Sequence, residues 1–164
     1  MADETLSKIF GFNGYVLKSN SAGMDHADSL RRPAPGGHCC NWILGHILSS
    51  RNVVLRLLGQ AEIWPDGRDS PYSRGSRPLQ EEDGGEALDF TELLRDLATS
   101  QERIMKGLAV ITAGALAAEA TLQLFEGKKD SVGGLLSALA FHEAYHAGQT
   151  GLLRSQLGMD GTIP

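Results

Sequence analysis

His142 and His146 stand four residues apart in the run Phe141-His142-Glu143-Ala144-Tyr145-His146-Ala147-Gly148-Gln149. On a helix that spacing stacks two imidazoles on one face and aims them at one point. Converging neutral imidazoles begin a transition-metal site, and zinc, nickel, iron and copper all accept them. Two imidazoles alone hold such a metal loosely, so a third ligand is required. His46 meets that need best. It lies one turn after Trp42 on the inward stripe of another predicted helix, beside Gly45, where a neighbouring helix or a metal could approach closely. Of the chain's five histidines, the other two are less well placed. His26 falls near the end of the first predicted helix and His38 in a Pro/Gly-rich connection, both as surface or capping residues. Three neutral imidazoles leave a divalent metal with an open position and its charge uncompensated, which brings bound water to a pKa of roughly 7.

The same run spells H-E-x-x-H, the zinc-peptidase signature. Its extended form needs glycine at 149 and histidine at 152, where this chain has Gln149 and Leu152. After His146 the one acid is Asp160, and no edge strand precedes the motif, so the peptidase reading is disfavoured. Outside that reading, Glu143 lies about 100° around the helix from His142. There it is a candidate general base, a group that steadies a ligand, or a helix-surface or interhelical carboxylate. Gln149, nearly in line with the histidines, either orients a ligand or substrate or satisfies a buried backbone group. A third class is a non-enzymatic bundle whose histidines hydrogen-bond or hold a structural metal. A fourth protein ligand would mark that class, with His38, Cys39 and Cys40 the candidates.

Four long helical patterns must position these residues, and no strand is convincing. The first runs from about Asp3 to Leu30 through Leu6, Ile9, Phe10, Val16 and Leu17, weakened by Gly11, Gly14 and Gly23. Pro33 and Pro35 break it. The second begins near Cys39 or Asn41 and ends near Leu58, with Trp42, Ile43, His46, Ser50, Val53, Val54 and Leu57 inward and Gly59 as a stop. Residues 60–86 form a long Gly/Pro-rich connection, either a lid or binding loop or a solvated crossover joining two helices that run the same way. The third helix starts at Asp89, with Glu92 three residues on, and reaches Ile111; an irregular piece from Thr112 to Lys129 follows. Asp130 or Ser131 caps the fourth, which runs to Leu157. Its stripe of Val132, Leu135, Leu136, Leu139, His142, His146, Gln149 and Leu153 turns both histidines inward. The prediction is a single all-α domain over residues 1–164, a four-helix bundle with a long crossover between helices two and three. Metal sites in bundles are built in the interior from facing helices.

Composition sets bounds on function. Hydrophobic residues make up 41% and charged residues 21% of the 164 residues, which is globular and not disordered. The net charge of -5 is spread over isolated groups without a basic stripe, which speaks against nucleic acid as a partner. No run reaches the roughly 18–20 apolar residues of a membrane span, and the acidic start lacks a secretory layout, so a cytoplasmic protein is expected. Cys39 and Cys40 are adjacent and read as free thiols in a reducing compartment. The alternative is a reactive thiolate in a helix's first turn.

Two elements together resemble the DinB-like family, which includes the YfiT-like proteins. Asn41-Trp42-Ile43-Leu44-Gly45-His46-Ile47 is similar to the family's W-x-x-x-H element, and His142 to Gln149 to its H-x-x-x-H-x-G-Q element. The resemblance spans the whole chain in helix order. It implies a four-helix bundle, often a homodimer, with one divalent metal, zinc or nickel foremost, on His46, His142 and His146. It also implies a small-molecule substrate, and activities in the family include thiol-dependent S-transferases, a maleylpyruvate isomerase and metal-dependent hydrolases. A low-molecular-weight thiol is then a candidate co-substrate, and Arg68, Arg74 and Arg77 either seat its carboxylate or are solvated loop arginines.

Overall fold

The computed structural model describes residues 4–33, 36–64, 67–79, 86–123 and 129–161, and among these the regular structure is all helical. In chain order the helices are α1 (Glu4–Ser21), α2 (His26–Leu30), α3 (Cys40–Leu57), α4 (Phe90–Val110), α5 (Ala113–Ala117) and α6 (Val132–Gln156), with a 3-10 turn at Ser70–Tyr72. Caps explain most boundaries. The Asp89 carboxylate accepts from Thr91 and Glu92 N–H at the start of α4, and the Ser131 hydroxyl accepts from Gly134 N–H at the start of α6.

Two expected element boundaries change. The first helix does not run through to Leu30: it ends at Ser21, Gly23 takes a left-handed φ of 78°, and Asp25 with Asp28 forms a capping box that opens α2. The piece after α4 is also less irregular than expected, because the Thr112 hydroxyl accepts from Ala115 N–H and caps the five-residue α5.

The four long helices close a bundle in which α1 packs on α6 and α4, and α3 packs on α4 and α6. Cross-helix hydrogen bonds give the directions. Asn13 donates to Ala140 O and Asn20 to Thr150 Oγ1, so α1 and α6 run parallel. Asn41 donates to Leu88 O and Arg51 to Leu97 O, so α3 and α4 also run parallel. A parallel pair cannot be joined by a tight turn, and this is why the connection from α3 to α4 is long. It joins two helices that run the same way, as the crossover reading has it, but its described parts are not merely solvated: Trp64, Tyr72 and Leu79 are buried in the core.

The core has two ends. One gathers Trp42, Ile43, Leu44, Ile47, Tyr72, Phe90 and Leu93; the other Phe10, Val54, Leu55, Ile104, Leu108, Leu136 and Leu139. Each such side chain taken fully out of water contributes on the order of 1.5–3 kcal/mol. The buried face of α6 is Leu135, Leu136, Leu139, Ala140, Glu143, Ala147, Thr150 and Leu153. That face is turned from the expected stripe: His142, His146 and Gln149 lie half-buried at its edge, and Glu143 takes its centre. Helix α3 shows the same offset, with Ile47, Leu48 and Arg51 buried and His46 at the edge. No described helix is long and apolar enough to cross a membrane.

Candidate metal centre

His46 of α3 and His142 and His146 of α6 come together, as the sequence spacing predicts. The Nε2 atoms of His46 and His142 are 3.2 Å apart, and those of His142 and His146 are also 3.2 Å apart. The far nitrogens of the outer two are committed. His46 Nδ1–H donates to Tyr72 O at 2.8 Å, and His146 Nδ1–H donates to Gln149 Oε1 at 2.7 Å. A neutral imidazole has one proton, so both Nε2 atoms carry lone pairs aimed at His142.

His142 cannot satisfy this arrangement by itself. Protonated at Nε2, it can donate toward only one of its two neighbours. Protonated at Nδ1, it presents three lone pairs to one point and buries a donor that has no partner among the described residues. A cation at the centre accepts all three lone pairs at once, with the His142 proton left on Nδ1. Metal–imidazole bonds of about 2.0–2.1 Å at tetrahedral angles place ligand nitrogens about 3.3 Å apart, close to the observed 3.2 Å. The residues therefore fit a single divalent transition metal.

The electrostatics agree. Burial, and then the neighbouring His146 and His46, push His142 down to about 4. Burial likewise lowers His146, against its hydrogen bond to Gln149. Both are neutral at pH 7, the state a metal requires.

Tyr72 secures the site from the crossover. Its ring lies against Gly45, where a Cβ would overlap it, so the glycine admits an aromatic ring and not a helix or a metal. The Tyr72 hydroxyl donates to Asn41 Oδ1 and accepts from Leu88 N–H, which ties the loop to the starts of α3 and α4. Burial pushes that phenol up to about 12. Trp42 is sandwiched between His38 and His46, with centroids at 3.5 and 4.7 Å, and its Nε1–H is shared by Pro71 O and Ser76 Oγ. Sequence reasoning missed Tyr72 because its contribution to His46 is a backbone carbonyl, which no residue type announces. Gln149 was legible by its place on the helix face, and it orients His146.

Other candidates are placed elsewhere. Glu143, the general-base candidate, is not in the cluster: it is 3% exposed and both its oxygens are held by Arg51 at 2.7 and 2.8 Å. Of the sequence alternatives, the geometry is that of an interhelical carboxylate. His26 Nδ1 accepts from Phe90 N–H, a capping role. His38 sits on Trp42, and neither it nor a cysteine joins the three imidazoles among the described residues. Cys39 and Cys40 are free and buried, and burial raises both thiols, Cys40 to about 12. Desolvation thus outweighs the helix dipole, and the reactive-thiolate reading falls. Arg68 pairs with Glu92 and Arg77 with Glu86, while Arg74 is exposed.

Comparison with known proteins gives the same picture. A family model described as the DinB superfamily matches residues 21–150. No curated protein matches the chain. Three solved structures share its fold. A conserved protein from Enterococcus faecalis has a TM-score of 0.71 at 15% identity, covering 94% of this chain and 96% of that one. The DinB-like protein YjoA of Bacillus subtilis has a TM-score of 0.68 at 18% identity, covering 98% and 97%. YfiT of Bacillus subtilis, with a TM-score of 0.67 at 15% identity and coverage of 98% and 91%, is described as a probable metal-dependent hydrolase with an unusual four-helix bundle topology.

Proposed function

Because the chain belongs to the DinB superfamily, we propose that it is a metal-dependent enzyme acting on a small molecule, with hydrolysis as its reaction. The observation that carries this reading is the convergence of three imidazole Nε2 atoms with no fourth histidine, cysteine or carboxylate beside them among the described residues. By that criterion the site is open and not a closed structural one. YfiT's description as a probable metal-dependent hydrolase supports the choice of reaction.

A zinc or nickel ion on His46, His142 and His146 would supply Lewis acidity, polarising a carbonyl or acidifying a water. The chain's own residues supply the frame. Tyr72 O and Gln149 Oε1 hold His46 and His146 in the tautomer that presents Nε2. Trp42 and Tyr145 pack their rings against His46 and His146 and limit how far the imidazoles can swing. Glu143 is occupied by Arg51 and plays no proton-transfer part in this proposal. The thiol-dependent reading has less support, since Arg68 is held by Glu92 and the exposed Arg74 and Arg77 have the character of solvated loop arginines. A homodimer belongs to the proposal as well: Phe141, Tyr145 and Leu152 form an exposed stripe along α6. So does a cytoplasmic setting, supported by the two free buried cysteines.

The test is elemental analysis of untagged protein purified without chelator, beside His46→Ala. About one zinc or nickel per chain in wild type, lost in the variant, is the expected result. Loaded protein is then assayed on activated esters, amides and lactones, and separately on thiols with electrophiles. Chelator-sensitive hydrolysis supports the proposal. Thiol transfer without hydrolysis moves the reaction class, and absence of metal after incubation with zinc, nickel or manganese refutes the reading.

A further inference from the structure

The most completely hydrogen-bonded group near the metal centre is not part of it. Arg51 is 0% exposed and Glu143 3%, and the guanidinium has five N–H donors, all placed. Its Nε–H and one Nη2–H go to the two oxygens of Glu143, at 2.7 and 2.8 Å. Its Nη1 hydrogens go to Leu97 O and Ser100 Oγ, at 3.0 and 2.9 Å. The remaining Nη2–H goes to Gln101 Oε1 at 2.8 Å, and Gln101 Nε2–H in turn donates to Phe10 O. One guanidinium thereby connects α3, α4 and α6 directly and α1 through Gln101.

A buried ion pair is weak evidence for stability, because desolvation offsets its attraction and an apolar pair of equal volume often serves as well or better. What it does supply is selectivity, since a directional five-bond set forms at one relative placement of the helices. The location gives that selectivity a use. Glu143 directly follows His142 on α6, and Arg51 follows His46 on the same helix α3. The pair therefore fixes α3 against α6 at the level where their ligands must meet, and metal distances tolerate errors of only about 0.2 Å.

We propose that Arg51 and Glu143 are positioning residues of the metal centre, setting the register of α3 against α6 at which His46 meets His142 and His146. The inference rests on the three-histidine reading above. It explains why a carboxylate adjoins a ligand yet faces away from the centre.

The test uses cobalt(II) as the probe on the full chain. Wild type and the double variant Arg51→Met/Glu143→Leu are compared by metal-free thermal denaturation, by cobalt titration and by the visible spectrum of the cobalt protein. The expected result is a melting temperature at or above that of wild type, cobalt binding weakened 10- to 100-fold, and an altered spectrum. A double variant that melts like wild type and binds cobalt with the same affinity and spectrum overturns the proposal. If the double variant does not fold, Glu143→Asp decides. It keeps the charge on a side chain one methylene shorter, so the helices must shift to keep the pair; weaker binding and a changed spectrum support the proposal, and wild-type behaviour overturns it. Wild type that takes up no cobalt refutes the three-histidine reading and this inference with it, whereas an unaffected variant beside a cobalt-binding wild type refutes this inference alone.

Discussion

His142 and Glu143 are neighbours on α6, and their surroundings are opposite. The imidazole is half-buried, faces two other imidazoles, and has a far nitrogen without a partner among the described residues. The carboxylate is fully buried and both oxygens are bound by one guanidinium. Buried polar groups are normally satisfied, so Glu143 is the ordinary case and His142 the exception. Three nitrogens that face one another with too few hydrogens to share mark a ligand-binding point; a complete set of bonds marks scaffold. One step of 100° along a helix separates the two roles.

Single substitutions at these neighbours should fail in different ways. Glu143→Leu leaves the Arg51 charge buried and unpaired, a cost of about 3–5 kcal/mol. For a chain of this size that lowers the melting temperature by roughly 6–20 °C. His142→Ala should leave the fold nearly as stable but abolish stoichiometric metal binding. Calorimetry and metal analysis of both variants would show the contrast, and His142→Ala binding metal like wild type would break it. A smaller effect is expected at Gln149→Leu, which removes the acceptor of the His146 Nδ1 proton. Metal affinity should fall toward the tenfold end of the range for such partners, with little change in melting temperature.

The smallest effect concerns pH. In the metal-free fold His142 is held at about 4 against an ordinary 6.5, so between these values the unfolded chain binds more protons than the folded one. Stability contributed by the neutral imidazole is present above pH 6.5 and is lost as the pH falls toward 4. Metal-free wild type should thus lose more of its melting temperature than metal-free His142→Ala between pH 7 and 4.5. Equal losses would remove His142 from the buried, charge-averse side of the comparison.

Much of this was legible in the sequence where the cause was local. The i, i+4 histidines, the Asp89 and Ser131 caps and the Gly59 stop are short-range signals, and the structure follows them. The break at Gly23 was also written locally, in Asp25 and Asp28, but apolar periodicity across it favoured one helix. Burial of Glu143 was not legible, because its cause is Arg51, 92 positions away, and a charged residue read alone is assigned to the surface. The same omission displaced the expected buried face of α6: with the carboxylate placed outside, the histidines fell at its centre. The Tyr72 carbonyl had no signal, since every residue has one.

The distance along the chain between the three imidazoles has a consequence for when a metal could be acquired there. His46 and His142 are 96 positions apart. At translation rates of roughly 5–20 residues per second, His46 is made roughly 5–20 s before its first partner. During that interval the nascent chain holds only one of the three imidazoles that make up the site. The choice of ion is deferred until α6 has been synthesised and docked, and it is then made by finished geometry and by whichever metal the compartment supplies at that moment.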